Sequence, residues 1–291
     1  MGRSRTVRSH GAALLPPHPG DDSPLSVPAS SAPQPPGPLR EWEPAWRHPL
    51  AGPPWRVWEA LVLLALFFAA QLLFSGLAVA LVRAWLPRGE GEDELVTLVK
   101  YSLPAGLVAS YALVAVAVYW LLARRHRVPV RASLGLASFP LGRLGAPFAG
   151  GIALQFLTAL LVAAAPPPMD REFIFDLFLK SGTWTVAFFF VAAVCLAPLL
   201  EEILFRGMLL PALVPRLGFL RAALLVTLLF AALHGFQVGM YWPALTGIFL
   251  CGWILAWLRQ RSGVLWPSVA FHVGFNFTAF LPMIFLGGKL G

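Results

Sequence analysis

The sequence predicts an all-α membrane protein, a polytopic bundle of about seven spanning helices that follows a disordered tail. Of its 291 residues, 58% are hydrophobic and 12% are charged, whereas about 25% are charged in an ordinary soluble domain. Several apolar stretches have the length of about 20 residues that a helix needs to cross the hydrocarbon core. Arginines concentrate in the short connections between those stretches, as they do in membrane proteins.

Residues 1–54 differ in composition from the rest of the chain. They are rich in Pro, Ser and Gly and contain almost no run that could bury a core, so we predict a disordered tail. Arg3, Arg5 and Arg8 are not followed by an apolar stretch, which argues against a cleavable signal peptide. The simplest division is therefore a tail over 1–54 and one membrane domain over 55–291.

Seven apolar segments follow the tail, and arginine-bearing connections alternate with connections that are acidic or lack basic residues. Because basic connections stay in the cytoplasm, we expect these arginines and the N-terminus to lie there, in a multi-pass cell membrane protein. The arginines of the cytoplasmic connections account for the net charge of +8. We therefore expect the partner to be a lipid bilayer and not a nucleic acid. The segments are 57–82, 103–123, 144–165, 184–213, 219–241, 243–258 (the short one) and 264–286. The arginines include Arg124, Arg125, Arg143, Arg216, Arg221, Arg259 and Arg261.

The fourth segment carries three charges in the stretch APLLEEILFRG. On insertion scales a charge in a spanning helix costs about 2.5–3.5 kcal/mol, so each one needs a partner or a function. Glu202 and Arg206 have the i, i+4 spacing of an ion pair. Adjacent helical positions point about 100° apart, so we expect that Glu201 and Glu202 do not serve the same partner from the same face. Pro198, one turn earlier, is expected to distort the helix and open space beside Glu201.

The fifth and seventh segments add polar residues at a spacing of one helical turn. Phe230 and His234 share one face of the fifth segment, and His272 and Asn276 share one face of the seventh. A single histidine in an apolar helix more often packs than reacts. Glu201 and the two histidines, however, come from three segments in which almost nothing else is ionisable, so we predict that they converge. His234 lies about two turns further from the midplane than Glu201, so convergence requires a tilted helix.

Two kinds of chemistry are open to this set. Glu201 can act as a general base toward water while His or Asn side chains donate to an oxyanion. Glu201, His234 and His272 can equally be zinc ligands with an open fourth position. Asn276 favours the metal-free alternative, because a carboxamide is a poor zinc ligand and a good hydrogen-bond donor. The residues alone leave both alternatives open.

In this order, the elements Glu201-Glu202-x-x-x-Arg206, Phe230-x-x-x-His234 and His272-x-x-x-Asn276 resemble the CPBP family of intramembrane endopeptidases. That family joins CAAX prenyl proteases to proteins linked to bacteriocin processing or self-immunity, and the resemblance covers residues 184–286. It implies that Glu201 and His234 activate water and that His272 and Asn276 stabilise the oxyanion. Glu202, Arg206 and Phe230 would support them. The implied substrate is a membrane-associated protein or peptide, lipidated substrates included, and we expect the cavity to open on the cytoplasmic side.

Two other functions are compatible with intramembrane Glu and His residues. A proton-coupled transporter could use Glu201, His234 and His272 as a relay. Against it, the sequence shows no corresponding pair of interrupted helices in two halves. A catalytically idle scaffold of the same fold is the second alternative.

Overall fold

The structure is a computed structural model that describes residues 52–85, 93–165, 177 and 179–287. The described residues form helices and their connections, with no strand among them, which confirms the all-α prediction. The predicted disordered tail lies outside the described residues except for residues 52–54.

Each of the seven predicted segments corresponds to a long helix. Within the described ranges, five apolar stretches are long and apolar enough to cross a membrane: α1, α2 extended to Arg125, α3 with the turn that begins at Leu141, α4 and α6. The described residues therefore form a multi-pass membrane bundle, and the count of seven crossings stays a prediction. The helices are α1 (Val57–Trp85), α2 (Glu94–Tyr119), α3 (Gly145–Ala164), α4 (Thr183–Leu217), α5 (Phe219–Gly235), α6 (Trp242–Ser262) and α7 (Trp266–Gly287).

The short helix is α5, whereas we predicted a short sixth segment. Helix α5 has 17 residues and α6 has 21. The segment between them contains Gly239 and Met240, whose φ angles of 60° and 55° are left-handed and therefore incompatible with a continuing α-helix. His234 consequently lies in the last turn of a short helix. Because the helix ends at Gly235, His234 lies even closer to the end of its span than the sequence predicted.

Helix α4 contains two π-helical turns, which flank the six residues Ala197–Glu202. The first turn, Ala192–Leu196, ends just before Pro198, which has no N–H to donate to the carbonyl of Val194. A π turn accommodates such a missing bond and is frequent at functional sites. The predicted distortion at Pro198 is thus present as a change in helical pitch.

Close backbone contact between α3 and α7 positions the part of α7 that carries His272. A Cβ atom at Gly151 would lie 2.0 Å from the Phe271 carbonyl oxygen, and one at Gly274 would lie 2.1 Å from the Phe148 carbonyl oxygen. Only glycine allows this approach. The two contacts lie on either side of His272, so they hold the α7 backbone in place around that residue.

Candidate active site

A cavity of about 680 Å³ lies within the bundle, and all seven long helices contribute to its wall. The wall is mostly apolar, with many phenylalanine side chains. The polar residues that line it are Gln71, Tyr111, Gln155, Thr158, Glu201, His234, Gln237, His272 and Asn276. The structure therefore brings together, in one cavity, the four residues to which the resemblance assigns catalysis.

Glu201 faces both imidazoles. Its Oε2 atom is 3.8 Å from Nε2 of His234 and 3.7 Å from Nε2 of His272. The same oxygen is buried and has no hydrogen-bond partner among the described residues. Both distances exceed the 2.7–3.2 Å of a direct hydrogen bond, so a water molecule beside the carboxylate and a ring could bridge them.

His234 is oriented by its own helix. Its Nδ1 atom lies 2.9 Å from the carbonyl oxygen of Phe230, one turn earlier. Because a carbonyl only accepts, Nδ1 must donate, and Nε2 is left to face Glu201. The buried ring of Phe230 lies 4.3 Å from the His234 ring and 5.7 Å from the His272 ring, centroid to centroid. Phe230 therefore contacts both imidazoles, as its predicted supporting role requires.

His272 lies between the two glutamates. Its Nδ1 atom is 3.1 Å from Oε1 of Glu202, while its Nε2 atom faces Glu201. The two glutamates therefore face different nitrogens on different sides of the ring, and neither serves it from the same face as the other. An imidazole carries nitrogens on two sides of its ring, so it can bridge carboxylates that point about 100° apart.

Glu202 and Arg206 form the predicted ion pair, with Nη1 donating to Oε1 over 3.0 Å and both side chains fully buried. Arg206 also donates from Nη2 to the carbonyl oxygen of Gly252 on α6 over 2.8 Å. An ion-paired carboxylate accepts hydrogen bonds and does not donate them, so the Nδ1 atom of His272 must donate to it. The pair thereby fixes the orientation of the imidazole.

Asn276 lies one turn beyond His272 and also lines the cavity. Its Nδ2 atom donates to the carbonyl oxygen of Ala193 over 2.8 Å. Ala193 belongs to the first π turn of α4, so Asn276 joins α7 to that turn. A carboxamide has two N–H groups, and one remains after this bond.

Comparison with known proteins identifies the segment that carries these groups. Residues 183–278 match the model of the Rce1-like family, the type II CAAX prenyl endopeptidases. The match confirms the predicted resemblance and spans every residue of the predicted site. Neither the curated proteins nor the solved structures include a match to the chain.

The Rce1-like segment contains the donors of a zinc site, namely Oε2 of Glu201 and the Nε2 atoms of His234 and His272. Both imidazoles also donate from Nδ1, the second contact that zinc-binding histidines usually make. No group of three or more His, Cys, Asp or Glu side chains in the described ranges is arranged so that it could hold a metal ion. Bound zinc therefore stays a prediction.

Residues outside the Rce1-like segment also reach the cavity, although the sequence analysis assigned them no function. Tyr111 on α2 and Gln155 on α3 line the wall opposite α4, and Tyr111 packs against the ring of Phe67 at 5.8 Å. The sequence signal that could have indicated Tyr111 and Gln155 was a single polar residue within an apolar helix. It was weak, because neither residue belongs to a recognisable motif.

The exposed part of the cavity wall lies away from the arginine-bearing ends of α5 and α6. Its exposed lining residues are Gln237, after the end of α5, and Ala279 and Phe280, in the second half of α7. Arg221 lies in the first turn of α5, at the other end of that helix, and Arg261 lies in the last turn of α6, shortly before α7 begins. The side of the membrane on which the cavity opens stays a prediction.

Proposed function

We propose that the protein is an intramembrane endopeptidase in which Glu201 activates water to hydrolyse a peptide bond of a membrane-associated protein or peptide. The observation that carries the proposal is the Oε2 atom of Glu201, which is buried, lacks a hydrogen-bond partner among the described residues and faces two imidazoles. A carboxylate in that position is costly to keep unless it has a function. The Rce1-like match supports a peptidase.

The reaction begins with a water molecule held between Glu201 and His234. Glu201 takes a proton from the water as the oxygen attacks the carbonyl carbon of the substrate. The carbonyl oxygen becomes an oxyanion, to which the second N–H of Asn276 donates, together with Nε2 of His272 once that atom carries a proton. The C–N bond then breaks, and the proton on Glu201 passes to the leaving amine nitrogen. The products are a carboxylic acid and an amine.

The surroundings of the site support a hydrophobic substrate. Phenylalanine side chains from several helices line the cavity around the four polar groups. Such a wall binds apolar side chains or a lipid chain by removing them from water. We therefore propose membrane-associated substrates, lipidated ones included.

A metal-dependent version would use the same residue types, although the described side chains are not arranged to hold an ion. A zinc ion bound by Glu201, His234 and His272 would polarise the water and the substrate carbonyl. The positions of the three side chains and their outer contacts would then serve to hold the ion. In the metal-free version the same contacts orient the imidazoles toward the water.

The experiment compares Glu201→Gln with the wild-type protein in liposomes that carry a membrane-tethered peptide. We expect the wild type to cleave the peptide and the variant to remain folded, retain the peptide and cleave none. Glu94→Gln is the matched control, because Glu94 pairs with Arg83 at the exposed start of α2 and should be dispensable. Cleavage by Glu201→Gln at the wild-type rate would refute the proposed function.

A further inference from the structure

Arg259 is a buried cation in the last turn of α6. The sequence analysis counted it among the arginines of a cytoplasmic connection, but only 4% of its surface is exposed, whereas Arg261 is exposed beside the ring of Trp257. Its Nη1 atom has no hydrogen-bond partner among the described residues. Burying a guanidinium is costly, so its contacts should show what it stabilises.

Its first contact is with the backbone of α4. In the second π turn the N–H of Leu210 donates to the carbonyl of Phe205. The next donor in that ladder would be the N–H of residue 211, which is Pro211 and has none. Arg259 supplies the missing donor, because its Nε atom donates to the carbonyl oxygen of Arg206 over 3.3 Å.

Its second contact is with the segment that holds the start of α7. Gly135 has a φ angle of 75°, and a Cβ atom there would lie 2.8 Å from Nη2 of Arg259. The carbonyl oxygen of Gly135 accepts a hydrogen bond from the N–H of Leu265, one residue before α7, over 2.8 Å. Arg259 therefore lies between the backbone of α4 and the support of α7.

Both contacts are close to the site along their helices. Glu202 lies four residues before Arg206, and His272 lies seven residues, or two turns, after Leu265. We propose that Arg259 is a positioning residue that keeps His272 in register with Glu202. Without it, the unpaired carbonyl of Arg206 would be free to move, and the 3.1 Å contact between His272 and Glu202 would loosen. The expected effect on catalysis rests on the proposed function.

Arg259→Met tests the inference, because methionine fills much of the space and donates no hydrogen bond. We expect a folded variant whose kcat falls by about 10–100-fold, the usual effect of losing a residue that orients a ligand or catalytic group, with KM within about twofold. Arg261→Met is the matched control and should leave both constants unchanged. Arg259→Lys keeps one donor and should lie between the wild type and Arg259→Met.

A second substitution tests the mechanism of positioning. Pro211→Ala supplies a backbone N–H that can donate to the carbonyl of Arg206 inside the helix. The double variant Arg259→Met with Pro211→Ala should therefore recover part of the lost kcat. No recovery in a folded double variant would overturn the assigned contact.

A readout independent of proteolysis separates this inference from the proposed function. The Nδ1–H signal of His272, observed by NMR after ¹⁵N-histidine labelling and assigned with His272→Gln, should shift in Arg259→Met and stay in place in Arg261→Met. If the wild type cleaves no peptide, the proposed function fails while this shift still supports the positioning role. An unchanged signal in folded Arg259→Met, or in Arg259→Lys where the Met variant does not fold, overturns it.

Discussion

Arg206 and Glu202 illustrate at the scale of single residues why a charge pair can persist inside a membrane helix. Both side chains are fully buried, and each has a further partner, Gly252 for the arginine and His272 for the glutamate. Removing either member leaves the other charge unpaired in a low-dielectric environment. The pair therefore links three helices around the site.

We predict that Glu202→Gln or Arg206→Met alone lowers the free energy of unfolding by about 3–5 kcal/mol, the cost of breaking a buried pair. The double variant Glu202→Leu with Arg206→Met should recover part of this loss. Thermal melting in detergent measures it, and the half-exposed pair of Arg83 and Glu94 is the control, with an expected loss below about 1 kcal/mol. Single variants as stable as the wild type would show that the pair is not needed.

A second residue-scale prediction concerns the metal. In the metal-free mechanism a chelator leaves activity intact, and Asn276→Ala lowers kcat by about 10²–10³, as for a lost oxyanion donor. Thr278→Ala is the control, because Thr278 bonds only to the carbonyl of Gly274 in its own helix. Stoichiometric zinc in active protein, absent from His272→Ala, would replace this mechanism with the zinc-dependent one.

At the scale of elements, α4 positions the site through its change of pitch. Pro198 interrupts the α-helical ladder, and the π turn before it offers the Ala193 carbonyl to Asn276. We predict that Pro198→Ala favours a regular helix and displaces Glu201 from the imidazoles. The protein should stay as stable as the wild type or become more so, while kcat falls by about 10-fold or more, since a misplacement of about 1 Å can cost 10²-fold.

Kinetics and thermal melting of Pro198→Ala in detergent check this prediction. Pro104→Ala is the matched control, because Pro104 interrupts α2 and does not line the cavity. Wild-type kcat in Pro198→Ala would show that the altered pitch is not required.

At the scale of the whole molecule, the exposed lining residues of the cavity lie away from the basic ends of α5 and α6. If the arginines face the cytoplasm, the exposed end of the cavity faces away from it. We predict that Gln237→Cys, in a chain whose Cys195 and Cys251 are replaced by alanine, reacts with a membrane-impermeant thiol reagent added to intact cells. Arg261→Cys should react only after the cells are opened. The reverse pattern would place the N-terminus outside.

The sequence by itself determined the helical fold class and which polar residues would meet in one cavity. Composition and apolar length predicted a membrane bundle, and three ordered polar motifs predicted Glu201, His234, His272 and Asn276, because buried charge is too costly to keep without a reason. The i, i+4 spacing predicted the pair of Glu202 and Arg206, because such residues are neighbours on one helix face.

Only the tertiary structure decided how these groups face one another. The bridge from His272 to both glutamates, the end of α5 at Gly235, the buried Arg259 and the lining of the cavity depend on contacts between helices. Local patterns report which face of a helix a residue occupies. The depth and pairing of that face are set by non-local packing, here by the close approach of α3 to α7 at glycines and by the change of pitch in α4.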